Sequence, residues 1–239
     1  MSANSATVSL RALLEQRFPD ATPITHRTTE QVATGIAALD RVLPSGGFPR
    51  GRLSVWAPQG GATAILRAAC YSTVALGERA AWIDGQGSIA GPDWIDGPIL
   101  LRPRTPRHGL RAVEELLRSG GFALVVLAGT ELAGSAPVRL SRAAREGGAA
   151  LITLTTHTAL SSLRLTSRID PRGYRWQRTP FDEPAVVRDV TVSVHARAMG
   201  WNARSTLLVP VMHHELRLAL APGLVDRRGA TRGATTRPV

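Results

Sequence analysis

Ala33-Thr-Gly-Ile-Ala-Ala-Leu-Asp40, Leu43-Pro-Ser-Gly-Gly-Phe-Pro-Arg-Gly51, Leu53-Ser-Val-Trp56 and Ala57-Pro-Gln-Gly-Gly-Ala-Thr-Ala64 follow one another almost without a break. Ile36, Leu39 and Val42 recur at helical spacing, which predicts a short helix over 35–43, stopped by Pro44. Residues 45–51 are turn-rich. Leu53 to Trp56 reads as an apolar strand, 57–62 as a glycine-containing loop, and 63–76 as a helix closed by Gly77. Strand, glycine loop and helix are the setting in which backbone N–H groups cradle a phosphate. The full chemistry also needs a lysine for the β- and γ-phosphates and a Ser or Thr for magnesium. Here Ala57 stands at the first glycine position and Ala62 at the glycine before the lysine. Thr63 replaces the lysine and Ala64 the hydroxyl, with Pro58, Gln59, Gly60 and Gly61 between. The loop has the setting and lacks the chemistry.

Working outward, residues 80–84 read as a strand, and 122–127 and 149–154 as apolar strands. Residues 110–118 and 137–146 read as helices, closed by Gly120 and Gly147. Continuous apolar strands separated by helices predict an α/β fold, a mostly parallel sheet with helices on both faces. The last third changes character. Residues 186–194 and 205–212 read as strands joined by 197–204, with a further short strand at 216–220, so antiparallel strands are expected at one edge. Before the core, residues 9–18 read as an amphipathic helix with Leu10, Leu13, Leu14 and Phe18 on one face, tethered by the Pro/Thr-rich 19–31. After it, 223–239 is Arg-, Thr-, Gly- and Pro-rich and is expected to be disordered. The expected organisation is an N-terminal helix and linker (1–31), a core (32–222) and a tail (223–239).

Composition removes several functions. The chain has 239 residues and a formal charge of +11; all 29 of its basic Lys/Arg residues are arginine. Schiff-base and lysine-dependent phosphate chemistry are excluded. Codon bias in a GC-rich genome would write the same arginines, yet their physical consequence is unchanged: guanidinium forks suit phosphate-rich and acidic partners. The single cysteine, Cys70, excludes an intrachain disulfide. No apolar run approaches a membrane span, and the N-terminus lacks the pattern of a secretory signal, so a cytoplasmic protein is expected. His213-His214 are adjacent and would point to opposite faces of a strand, with no cysteine or acidic cluster beside them, so no metal site is expected. No Gly-x-Ser-x-Gly elbow supports a hydrolase.

The run from Ala33 to Gly51, followed by strand and loop, resembles the RecA recombinase core, and Ala159-Leu-Ser-Ser-Leu-Arg-Leu-Thr-Ser-Arg-Ile-Asp170 resembles the RecA segment after the second DNA-binding loop. The resemblance covers roughly 32–220 and implies a RecA-like fold. It also shows what is missing. Gln86, in Asp84-Gly-Gln86, stands where the glutamate that activates water is expected. Leu127 or Ala128 stands at the magnesium aspartate, and Thr155 or Thr156 at the γ-phosphate-sensing glutamine. His195 and Arg197 fall near the two basic residues that reach a neighbour's ATP. The segments corresponding to the two DNA-binding loops, 128–136 and 155–159, are short. Within the superfamily, the Ala33–Gly51 run and Leu163-Arg-Leu165 resemble the ImuA family of translesion synthesis accessory proteins. That resemblance implies a non-catalytic scaffold in SOS mutagenesis, acting with ImuB and an error-prone DnaE-type polymerase, with RecA, DNA or a second copy as further partners, and with no cofactor. Two alternatives stay open. One is a divergent RecA-superfamily ATPase, for which Arg67 is the nearest substitute cation. The other is a SulA-like division inhibitor.

Three basic clusters stand out. Arg102, Arg104, Arg107 and Arg111 are expected on a Pro-rich loop ahead of a helix. Arg139, Arg142 and Arg145 recur three apart on a helix. Arg164, Arg168, Arg172, Arg175 and Arg178 surround Tyr174 and Trp176, and arginine with aromatic rings is how single-stranded nucleic acid is held. These last seven are the candidate nucleic-acid residues. Candidate partner contacts are Leu10, Leu13, Leu14 and Phe18 in the N-terminal helix and Arg227 and Arg228 in the tail. Trp56 and Trp82 are expected in the core, and Trp94 and Trp201 in loops, where an exposed indole could anchor a partner.

Overall fold

The computed structural model describes residues 31–210, apart from 88, 90–93, 95, 96, 157, 159 and 179. The expected N-terminal helix, the 216–220 strand, His213-His214 and the Arg-rich tail therefore lie outside the described residues. In chain order the elements are β1 (Gln31–Val32), α1 (Ala37–Asp40), β2 (Phe48–Pro49), β3 (Leu53–Trp56), α2 (Ala62–Ala75), β4 (Ala80–Asp84), β5 (Ile99–Leu101), α3 (Pro106–Arg118), β6 (Leu124–Ala128), α4 (Ala136–Gly147), β7 (Ala150–Leu154), β8 (Leu163–Arg178), β9 (Pro184–Ala198) and β10 (Trp201–Pro210). A mixed sheet of eight strands runs β10-β9-β8-β3-β7-β6-β4-β5, and β1 pairs with β2 in a small antiparallel sheet. From β8 to β5 neighbours are parallel, whereas β8–β9 and β9–β10 are antiparallel. This is the expected α/β architecture with antiparallel strands at one edge.

Strand alternation sorts the apolar runs onto two faces. Trp56, Trp82, Leu124, Val126 and Ile152 join Ile65, Leu66 and Cys70 of α2 in one buried cluster. Leu53, Ile83, Val125, Leu127 and Leu151 join Val113 and Leu117 of α3 and Leu140 of α4 in the other. Beyond β3 the pattern changes. Leu163, Leu165, Val192, Val194, Ala196 and Leu207 extend only the first cluster, so β8, β9 and β10 are buried on one face alone. The segment from Val32 to Phe48 covers that face, and the Ser205 hydroxyl donates to the Ala38 carbonyl at 2.9 Å.

The run Ala33–Asp40 is a structural clip. The Thr34 N–H donates to the Asp40 carboxylate at 2.8 Å, and the Thr34 Oγ1 accepts the Ile36 N–H at 3.1 Å. Gly35 has φ +75°, and a Cβ there would lie 2.5 Å from Ser72 Oγ, so no larger residue fits. This clip spends residues expected to be helical: the helix is only Ala37–Asp40, not 35–43. Arg50, in the same run, forms a largely buried ion pair with Glu78, 2.7 Å from each carboxylate oxygen.

Other boundaries also differ. β9 and β10 meet at a two-residue turn, so 197–204 is mostly strand; Trp201 pairs with Ala198 and packs partly buried against the core rather than in a loop. β8 extends over 16 residues, a strand that local pattern does not announce. Helix α3 starts at Pro106, so Arg107 and Arg111 are helical; Thr105 caps it by accepting the His108 N–H at 3.2 Å. Trp94 is buried, its ring 5.5 Å from that of Trp82 and its Nε1–H donating to the Pro98 carbonyl, so it is not an exposed anchor. Burial pushes the Cys70 thiol well above its ordinary range, which leaves it a packing group. Among the described residues no helix is long and apolar enough to cross a membrane.

Candidate functional site

The parallel strand order places the 57–61 loop at the carboxyl end of β3, where the chain leaves for β4 on one side while β8 lies on the other. Such a reversal point is where open α/β sheets build ligand sites. The loop is nevertheless closed upon β8. The Ala57 N–H donates to the Leu165 carbonyl at 2.9 Å. The buried Trp56 indole N–H donates to Ser167 Oγ at 3.0 Å, and the Ser167 hydroxyl donates in turn to the Gln59 carbonyl at 2.8 Å. The Ala62 N–H turns back to the Gln59 carbonyl at 3.3 Å, which spends one donor of the helix start inside the loop. Gly60 has φ +59°, and a Cβ there would lie 2.1 Å from the Ser167 carbonyl oxygen. Glycine is needed here because a strand presses on the loop. Gly61 caps α2 in the left-handed conformation with no side-chain cap.

The positions where ATP and magnesium would be held carry no suitable group. Thr63 and Ala64 are exposed at the start of α2 and supply neither a cation nor a magnesium hydroxyl at its required place. Leu127 is fully buried against α3 and α4, and Ala128 belongs to the α2 side, so neither offers a carboxylate. Asp84 is buried and accepts the Ile89 N–H at 2.8 Å; Gln86 is exposed beyond it. Thr155 and Thr156 follow β7. Arg67 leans over the rings of Tyr71 and Trp94, 5.8 and 5.5 Å from their centroids, one turn up the helix from the loop. The residues present do not fit a nucleotide triphosphate with its metal. Among the described residues, no three His, Cys, Asp or Glu side chains gather as metal ligands.

The candidate nucleic-acid residues all lie on β8, but the strand divides them. Tyr174, Arg175 and Trp176 are all exposed, in a stretch where the pairing of β8 with β9 shifts register. Both rings are substantially exposed, Trp176 at 52%. At this distal end acids accompany the arginines. Arg178 donates to the Asp182 carboxylate at 2.7 Å, Arg175 stands in register with Asp189, and the Arg172 N–H bonds to Asp170 at 3.0 Å. Arg164 and Arg168 stand at the proximal end, on the face that no helix buries. Arg164 is held by Ser161 Oγ at 2.9 Å and the Thr158 carbonyl at 3.1 Å. The strand register adds neighbours there that spacing in the sequence does not reveal: Arg164 is in line with Arg197, and Thr166 with His195 and Arg204. Arg142 of the α4 stripe is paired with Glu146 at 2.7 Å, which with Arg118 holds that carboxyl below its usual range.

Sequence comparisons agree with this fold. The chain is 35% identical to Protein RecA of Lactobacillus acidophilus over 105 residues, 40% of this chain and 29% of that protein. It is 32% identical to Protein RecA of Streptomyces coelicolor over 112 residues, 43% of this chain and 30% of that protein. Protein RecA of Bacillus cereus is 33% identical over 110 residues, 42% and 32% of the two chains. The chain thus has a RecA-like relation over about two fifths of its length. It spans about a third of the length of the curated relatives it matches. No family model matches the chain.

Proposed function

We propose that the protein is a non-catalytic RecA-like accessory protein, a cytoplasmic scaffold of a bacterial translesion synthesis complex that acts with an ImuB-like protein and an error-prone DnaE-type polymerase in damage-induced mutagenesis. The observation that carries this reading is the phosphate loop. A RecA-like strand, loop and helix remain, while the loop is tied by Ser167 to β8 and the cation, hydroxyl and carboxylate positions hold Thr63, Ala64 and Leu127. Such a core has kept its shape and has no means to activate water on a phosphate. Arg67 does not rescue an ATPase, because its guanidinium is drawn to Tyr71 and Trp94. In this role the exposed rings and arginines of β8 (Arg164, Arg168, Arg172, Tyr174, Arg175, Trp176, Arg178) contact nucleic acid, while Leu10, Leu13, Leu14, Phe18, Arg227 and Arg228 contact partners. Two measurements test it on the full chain. Titration with ATP and magnesium should give no heat and no phosphate release, and an ImuB-like bait should retain the protein. Micromolar ATP binding with turnover, or failure to be retained by both the ImuB-like protein and the polymerase, would refute the role.

A further inference from the structure

The strand register assembles a surface that no linear motif marks. On the outer face of β8, β9 and β10, three rows lie side by side: Arg164 with Arg197 and Asn202, Thr166 with His195 and Arg204, and Arg168 with Ser193 and Thr206. All are exposed except His195, which is half-buried among them. Rows two residues apart repeat about every 6.8 Å and strands about every 4.8 Å, so the four guanidiniums span roughly 14 Å by 10 Å. Residues 164–168, 193–197 and 202–206 contain no acid and no Phe, Tyr or Trp. The remaining polar groups are hydroxyls and amides, which suit phosphate oxygens. The Arg197 Nε–H points to His195 Nε2 at 3.5 Å, so the imidazole accepts from a guanidinium in the middle of the patch. Nothing in the patch neutralises the arginines from within, in contrast with Arg178 farther along the same ribbon, which is paired with Asp182.

We propose that this face binds the phosphate backbone of duplex DNA, with Arg164, Arg168, Arg197 and Arg204 as the phosphate contacts and no base readout. Charge complementarity selects a polyanion. The rows carry no Phe, Tyr or Trp and their one imidazole, His195, is half-buried, so they offer no exposed stacking platform for single strands, and duplex DNA offers the higher phosphate density, one per about 1.7 Å of axis. The inference uses only the charge and exposure of the face and does not depend on the translesion role, so either can fail alone.

The test is fluorescence anisotropy of the full chain with a labelled 20-base-pair duplex and the matching single strand across a salt series. Four contacts predict a log–log salt slope of about −3.6, falling to about −1.8 in the Arg197→Ala/Arg204→Ala variant. Arg197→Lys/Arg204→Lys should keep the full slope. Arg107→Ala/Arg111→Ala removes the same charge from α3, off this face, and should change the slope by less than one. These side chains are exposed, so unchanged melting confirms intact folding in each case. An unaltered slope in Arg197→Ala/Arg204→Ala, or equal loss in the α3 variant, overturns the proposal. Single-strand preference of tenfold or more that disappears with Trp176→Ala also overturns it, by moving the site to the aromatic end of β8.

Discussion

The parallel half of the sheet and its antiparallel wing are built from one continuous set of hydrogen bonds but under different rules. In β3, β7, β6 and β4 both faces are covered and every strand residue is buried, and only the edge strand β5 is partly open. From β8 to β10 one face is covered and the other alternates arginine, threonine and serine into solvent. At the carboxyl end of the parallel half the loop after β3 is tied to β8 through Ser167, and Leu127 near the end of β6 is buried in the core. The wing makes no comparable packing demand on its outer face, and charge collects there.

The sharpest way to break that comparison is to restore a lost group. Leu127 is fully buried between β6, α3 and α4. Leu127→Asp places a carboxylate in an apolar cluster and should cost at least about 4 kcal/mol in urea unfolding. Gln86→Glu, at an exposed position, should stay within about 0.5 kcal/mol. Equal tolerance of the two would mean that the core has not taken over the magnesium position. Next in size is the Arg50–Glu78 pair, whose side chains are 8% and 10% exposed. Glu78→Ala should destabilise by about 3 kcal/mol by leaving a buried guanidinium without its carboxylate. A much smaller loss would show that the Arg50 position is retained for something other than stability. Ser167→Ala should cost about 1–2 kcal/mol, because the buried Trp56 indole N–H then lacks its acceptor. It should also speed hydrogen exchange in the 57–61 loop, and unchanged exchange there would contradict the closure by β8.

How far the sequence was legible follows from the same contrast. Residues 53–56, 80–84 and 149–154 are mostly apolar, with a single polar residue each (Ser54, Asp84 and Thr153), a pattern that suits a doubly covered strand, and the expected bounds agree with the structure to within a residue. β8 was not placed as a strand. Beyond Ile169 it reads Asp-Pro-Arg-Gly-Tyr-Arg-Trp-Gln-Arg, with proline and glycine and little alternation, and only pairing with β9, through three register shifts, makes it a strand. The arginines on one face were legible where they lie in one segment, as Arg164 and Arg168 do. Arg197 and Arg204 join them across two further strands, and that neighbourhood exists only in the register. The residue types in and after the glycine loop, Thr63, Ala64 and Gln86, were legible because they are read directly from the chain. Ser167 as the group that ties down the loop was not, because it sits more than a hundred residues from Gln59. The helix expected over 35–43 shows the converse error: apolar spacing suggested about two and a half turns, and the Thr34–Asp40 clip and Gly35 confined the helix to four residues.

The smallest expected effect tests the wing most directly. His195 is flanked by Arg197 on its own strand, Arg204 across β10 and Thr166 across β8. Burial lowers its pKa, and the charges of Arg197 and Arg204 lower it further. The unfolded chain therefore takes up this proton before the native state does. The contribution of His195 to stability is complete above its ordinary titration range and is lost as pH falls through that range. A bound phosphate backbone would act in the opposite sense, screening the two guanidiniums and favouring the imidazolium. Duplex affinity should accordingly rise by less than tenfold as pH falls from about 7.5 to 5.5, a range that brackets the ordinary histidine value. The gain should vanish in His195→Asn, which keeps a polar side chain of similar size without a titrating group. Anisotropy at constant ionic strength measures both proteins. A pH gain that survives in His195→Asn would place the titrating group elsewhere, and the absence of any gain in the parent would mean that phosphate does not approach the centre of the three rows.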